Sequence, residues 1–288
     1  MFIIKYKSLF IGISALLVIA SCVLFFTFGI KRGIDFTGGT TIEIKYEPSE
    51  TFHLDKAGIE AIGVNVYEVD PTVFKFVTTE QYEIVDQKLA SFIQESKTPY
   101  LVTQINTVGP TLGAEMTRKA IIAITIVVLA ILAFIAFSFR GISVAVSSWK
   151  YGVVAMLTMV HDIIIPAGVY TLLSHYYGAE VDTLFVIALL TIMAVTISDK
   201  IVVFDRIREN LKVSKGSFDE IVGMSLRQTA VRSINTSLTT VLALVALYIW
   251  GPASTQFFAL TLMVGMIVGT YSSICVASPL LTVWNKGK

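Results

Sequence analysis

The chain has 288 residues, 55% of them hydrophobic and 15% charged, with a mean hydropathy of +0.75 and a formal net charge of +1. Soluble domains hold about 45–50% apolar and ~25% charged residues, so an ordinary soluble class is excluded. A spanning helix needs ~20 mostly apolar residues; six such runs, roughly 8–29, 119–139, 151–173, 182–204, 236–250 and 256–282, predict an α-helical polytopic membrane protein with six transmembrane helices.

The first run follows Lys5 and Lys7, and "IASC" ending at Cys22 resembles a lipoprotein cleavage box. "VLFFTF" carries the apolar run past Cys22, so residues 1–29 are expected to be a cytoplasmic N-terminus and a retained span, not a removed signal. Cys22 and Cys275 both fall inside spans and are read as packing residues without a disulfide.

Residues 30–117 are the one stretch long enough for a domain outside the membrane. Seven Lys/Arg against thirteen Asp/Glu give it a net of −6, which argues against nucleic acid as a partner. "GIDFTGGT" leads into it, and Gly38-Gly39 allow a sharp turn where the chain leaves the membrane. Alternation in "TTIEIKYE" predicts a strand over 40–47. A helix over 54–62, strands over 64–69 and 72–78, a helix over 80–95 and a strand over 101–107 follow. That βαββαβ order belongs to a small ferredoxin-like α+β module. The segment has no metal-ligand cluster, phosphate-binding loop or nucleophile beside a base, and His53 is a lone loop histidine. A contact or gating element is expected, with no catalytic, cofactor or metal site.

Residues 118–288 hold the other five spans. In the third, Asp162 lies in "VHDIIIPAG", eleven residues from either end of the run and so near the bilayer midplane. Pro166, four residues on, has no N–H for the Asp162 carbonyl. Thr158 and His161 precede Asp162 at helical spacing and extend a polar stripe. In the fourth, Asp199 sits six residues before Asp205, about 9 Å deeper along the axis. Lys200 can snorkel toward the surface or turn to a carboxylate on the third span. Helix neighbours point about 100° apart, so only one of Asp199 and Lys200 faces Asp162 well.

Each such charge costs about 2.5–3.5 kcal/mol on insertion scales. Two roles stand open on these residues alone: a buried ion pair that joins helices, or a proton relay in which burial raises a carboxylate's pKa and a nearby ammonium lowers it.

"FDRIREN" places Asp205, Arg206, Arg208 and Glu209 at the end of the fourth span, where they are expected to anchor it. "SFDE" from Ser217 fits a capping box, and Phe218, Ile221, Val222 and Leu226 are spaced for an amphipathic surface helix. The fifth span begins with Asn235, Thr236, Ser237, Thr239 and Thr240, hydroxyls and an amide tolerated where a helix faces protein. "GMIVG" at Gly265–Gly269 permits close helix contact in the sixth. Lys and Arg fall at the N-terminus, in the 140–150 and 205–235 links and in the tail, whereas the 174–181 and 251–255 links have none. Both termini are therefore expected to be cytoplasmic.

Taken together, "GIDFTGG" (Gly33, Asp35, Gly38, Gly39), "GPTLG" (Gly109, Pro110), "HD" at 161–162 and "DKIVVFDRIREN" at 199–210 resemble the SecD/SecF branch of the resistance-nodulation-division superfamily over nearly the whole chain. That resemblance implies protein export across a bacterial or archaeal cytoplasmic (inner) membrane, driven by the proton-motive force. The partners it implies are a separate SecD chain, a SecY-centred translocon, the translocating preprotein and protons. It gives Asp162 and Asp199 as the candidate relay; Lys200 joins them by its own place in the fourth span, with Thr158, His161 and Ser198 as supporting polar groups. One departure stands out: relatives commonly read Asn-Asp and then a small hydroxyl residue, where this chain has Ser198, Asp199 and Lys200. A proton-coupled small-molecule or lipid exporter of the same superfamily is the nearest rival, though about ninety outer residues leave little room to enclose substrate. An intramembrane aspartyl protease would also pair two aspartates, but its Gly-x-Gly-Asp signature is absent.

Overall fold

Among the described residues, six helices are long and apolar enough to cross a membrane. The structure is a computed structural model that describes residues 2–46, 56–70, 73–80, 82, 100–138 and 148–285. Span one is Lys7–Phe28, span two Pro110–Ser138, span three Ser148–Tyr177, span four Thr183–Val213 and span five Phe218–Trp250. Span six is built in pieces: an α-helix Gln256–Ser272, a π turn Ser273–Ala277 and an α-helix Ser278–Trp284. Ser278 Oγ donates to Ser273 O at 3.3 Å across that wide turn.

The chain divides into two compact units, one comprising Met1–Gly29, Ile124–Thr171 and Leu184–Lys288, the other Ile30–Ala123 and Leu172–Thr183. The second holds a four-stranded antiparallel sheet of β1 Gly39–Tyr46, β2 Asn65–Asp70, β3 Val73–Thr78 and β4 Tyr100–Val108, in the order β2-β3-β1-β4. A short helix Lys56–Ala61 joins β1 to β2. Alternation in β1 turns Ile42 and Ile44 inward, opposite Phe76 and Phe74 of β3. Ile59, Val64 and Val66 complete that core, each fully buried side chain contributing roughly 1.5–3 kcal/mol. The four strands and the first helix follow one another along the chain as expected for a ferredoxin-like module; the helix expected over 80–95 lies almost wholly outside the described residues, as does His53.

In the first unit the core runs through Val154, Ala155 and Met159 of span three, Ile197, Val203, Phe204 and Ile207 of span four, and Val222 and Leu226 of span five. Small residues let the backbones close up. A Cβ on Gly265 or Gly269 would run into Ile192 or Thr196 of span four, and one on Gly168 into Ser21 of span one. Lys7 Nζ reaches Asp219 Oδ2 at 2.8 Å and Thr282 Oγ1 at 2.9 Å, tying spans one, five and six.

Two helix ends differ from expectation. Span four does not stop where its apolar run stops but continues through "FDRIREN" to Val213, because the charges are accommodated along the helix. Arg206 pairs with Glu209 at 2.7 Å and Arg208 with Asp205 at 3.6 Å, both one turn apart. The capping box at Ser217 and Glu220 is formed, with bonds of 3.3 and 2.9 Å, but it opens span five itself. No separate surface helix intervenes: Ile221, Val222 and Leu226 are buried, the last two in the core shared with span four.

Candidate functional site

Asp162 and Lys200 meet inside the bundle. Their side chains are wholly buried, and the Lys200 ammonium donates to Asp162 Oδ2. A second, longer bond runs from Lys200 Nζ to the Thr196 carbonyl at 3.4 Å, one turn back on span four. His161 Nδ1 lies 2.9 Å from Asp162 Oδ1, so the carboxylate is held from both sides. Span three remains helical through Pro166. The Thr158 hydroxyl does not join the pair; it donates back to Val154 O at 2.8 Å and Ala155 O at 3.1 Å.

Taking either charge out of water alone would cost several kcal/mol, and their mutual attraction compensates only when geometry is tight. The satisfied pair is bordered by groups that are not satisfied. Among the described residues, four buried side-chain polar atoms have no hydrogen-bond partner: His161 Nε2, Thr196 Oγ1, Asp199 Oδ2 and Ser272 Oγ. Ser272 comes toward the Asp162 carboxylate without reaching hydrogen-bond geometry. Thr196 presses on Gly269, whose Cβ would lie 3.9 Å from Asp162 Oδ2. Buried polar groups are otherwise almost always paired, and two of these four belong to residues that also bond the pair, His161 to Asp162 and Thr196 to Lys200.

Asp199 faces the other way. Its Oδ1 accepts from Ser233 Oγ of span five at 2.5 Å, while Oδ2 is left open. One turn beyond Ser233, Ser237 of span five bonds Thr270 of span six. Ser198 is exposed. The roughly 100° between helix neighbours thus gives Lys200 to span three and Asp199 to span five.

Farther along span four, Arg208 also donates to Ser138 O at 3.3 Å, the last carbonyl of span two. Asn210 Nδ2 bonds Ser225 Oγ at 2.8 Å and Gln228 Oε1 at 2.9 Å. Sequence reasoning missed Asn210, Ser233 and Ser272, and only the buried charge beside each hydroxyl could have singled those two out.

Of the family-motif glycines, Gly33, Gly38 and Gly39 are packed closely against backbone. Gly38 has φ +77°, and a Cβ there would fall 2.8 Å from Pro110 Cα. Gly39 has φ +134° and backs onto Thr78 O. Gly109 has open space around it. In the same unit Glu180 is buried 3.3 Å from Lys75 Nζ. Burial pushes the Glu180 carboxyl above its ordinary range, against the pull of the Lys75 and Lys31 ammoniums.

Residues 88–287 match the family described as "Protein export membrane protein SecD/SecF, C-terminal", and residues 23–50 match "SecD/SecF GG Motif". The chain is 37% identical to protein translocase subunit SecF of Thermobaculum terrenum, over 98% of its own length and 93% of that protein's. It is 34% identical to SecF of Escherichia coli O157:H7, over 93% and 83% respectively. Against protein translocase subunit SecDF of Thermus thermophilus it is 36% identical across 90% of this chain but spans 35% of that longer one. The crystal structure of SecDF, a translocon-associated membrane protein from Thermus, superposes with a TM-score of 0.82 at 34% identity, covering 98% of this chain and 38% of that one.

Proposed function

Because the chain belongs to the SecD/SecF family of protein export membrane proteins, we propose that it serves Sec-dependent export as a subunit that couples the proton-motive force to preprotein movement. Its partners in this role are a separate SecD chain, a SecY-centred channel and the emerging polypeptide, and it breaks no covalent bond. The distribution of Lys and Arg supports a topology with both termini in the cytoplasm and the sheet-bearing segment outside.

One observation carries the proton coupling. A wholly buried Asp162–Lys200 pair lies beside a second membrane carboxylate, Asp199, that has one oxygen unpartnered. A proton arriving on Asp162 cancels the charge that holds the Lys200 ammonium, and the next carboxylate on span four is Asp199. Loading and unloading of the two acids therefore favours different rotations of span four against spans three and five. Intramembrane acids of this kind mark proton pathways, and a protonation-biased pair of packings is what converts a gradient into movement.

The test uses vesicles holding the full chain with its SecD-class partner and the channel, under an imposed proton gradient. Asp199→Asn and the charge-free double variant Asp162→Asn/Lys200→Met should each abolish the gradient-dependent increment of export while leaving assembly with SecD and gradient-independent translocation near native. A native response to the gradient in both variants would sink the relay and leave the pair as helix glue.

A further inference from the structure

The relay makes no use of the GIDFTGG segment, residues 33–39, although several elements converge on it. Gly33 N–H donates to Val181 O at 2.8 Å and Val181 N–H to Lys31 O at 2.8 Å, forming a parallel bridge to the loop that enters span four. The approach is close: a Cβ on Gly33 would lie 3.0 Å from Val181 O. The Lys31 amide reaches Ser174 Oγ in the last turns of span three at 3.4 Å. Asp35 Oδ2 then accepts the amide of Thr183, the first residue of span four, at 2.9 Å.

The other end of the segment grips span two. A Cβ on Gly113 would fall 2.7 Å from Gly38 N, and Thr117 Oγ1 donates to Phe36 O at 3.3 Å. Gly39 is already the first residue of β1.

We infer that this segment is a mechanical joint and that Asp35 is its positioning residue: by capping span four, it fixes the height and rotation of the helix that carries Asp199 and Lys200. The inference rests on the proton-coupling role proposed above. Span four is helical without a break from Thr183 to Val213, which places Lys200 about 25 Å along the axis from the cap. A capping carboxylate satisfies an amide that has no partner within the helix, and its charge suits the positive end of the helix dipole. Without it the first turn frays, and a slip of one residue turns the helix by about 100°, enough to swing Lys200 off Asp162.

Asp35→Ala should lower the gradient-driven increment of export about fivefold, the ratio that corresponds to losing a cap, and displace its dependence on external pH. Asp35→Asn, which keeps an oxygen for the Thr183 amide, should retain most of the increment and the native pH profile. Thr183→Pro removes the donor while suiting the first position of a helix. It should reproduce the alanine phenotype, and the double variant should add nothing further. A native gradient response and pH profile in Asp35→Ala, or additive losses in the double variant, would overturn the joint. Asp199→Asn measured alongside keeps the two ideas separable, since a native response there removes the relay whatever Asp35 does.

Discussion

Lys200 is the residue on which the membrane site turns. Its ammonium is wholly buried against Asp162, so removing it strands a carboxylate in a medium that solvates it poorly. Lys200→Met should destabilise the chain by about 3–5 kcal/mol, as breaking buried pairs does. Adding Asp162→Asn should recover much of that loss, since both charges are then gone. Thermal unfolding in detergent, read as a double-mutant cycle, checks it; additive single losses would show that the two side chains do not interact. Sequence alone exposes Asp162, Asp199 and Lys200, because charges stand out in apolar runs. Which of the last two meets Asp162 depends on the rotation of span four against span three, and no residue pattern states that rotation. The unpartnered atoms on Thr196 and Ser272 were illegible for a related reason: hydroxyls are common in spans and become notable only beside a buried charge.

At the level of elements, the contact between spans four and six depends on Gly265 and Gly269, where side chains of span four take the space a Cβ would need. Gly269→Ala should therefore destabilise the bundle by about 1–3 kcal/mol through overpacking at Thr196. Gly12→Ala on span one, with nothing within 4 Å of the added carbon, should be neutral or gain up to ~1 kcal/mol from helix propensity. Equal melting shifts for the two would contradict this packing account. The "GMIVG" spacing announced the close approach but not its partner. Helix ends were less legible than helix middles. Hydropathy falls after Phe204, yet backbone hydrogen bonding continues to Val213 because charges one turn apart pair with each other. For the same reason the apolar spacing after Ser217 read as a surface helix, although it opens span five.

Taken whole, the molecule keeps the middle of spans three, four and six covered, while spans one, two and five present large apolar side chains such as Leu16, Phe26, Leu129, Phe137 and Leu242 outward. Those faces suit lipid tails or the helices of a partner. The strands were readable from the sequence pattern, most plainly β1, where alternation turns Ile42 and Ile44 inward. The anchoring of the 178–182 loop was not, because it needs Glu180 to find Lys75 across the unit. Burial raises the Glu180 carboxyl above its ordinary value of 4.5. A carboxyl raised on folding stabilises the unit fully below its unfolded pKa, and that contribution is lost as pH climbs through the higher folded value. The sheet-bearing unit should accordingly lose protection against hydrogen exchange as pH rises through that interval, after correction for intrinsic exchange rates, and Glu180→Gln should flatten the trend; an unchanged slope in the variant would assign the effect elsewhere. The π turn of span six reaches furthest across the chain. Its wide Ser273–Ala277 loop accommodates one residue beyond what a plain α-helix would hold, and each residue turns a helix by about 100°. That surplus sets the bearing of everything after it, sending Leu281 inward and Thr282 to the Lys7 ammonium. Delete one residue there and the final turns would look sideways, so the polypeptide's beginning and end stay in contact through a miscount of one.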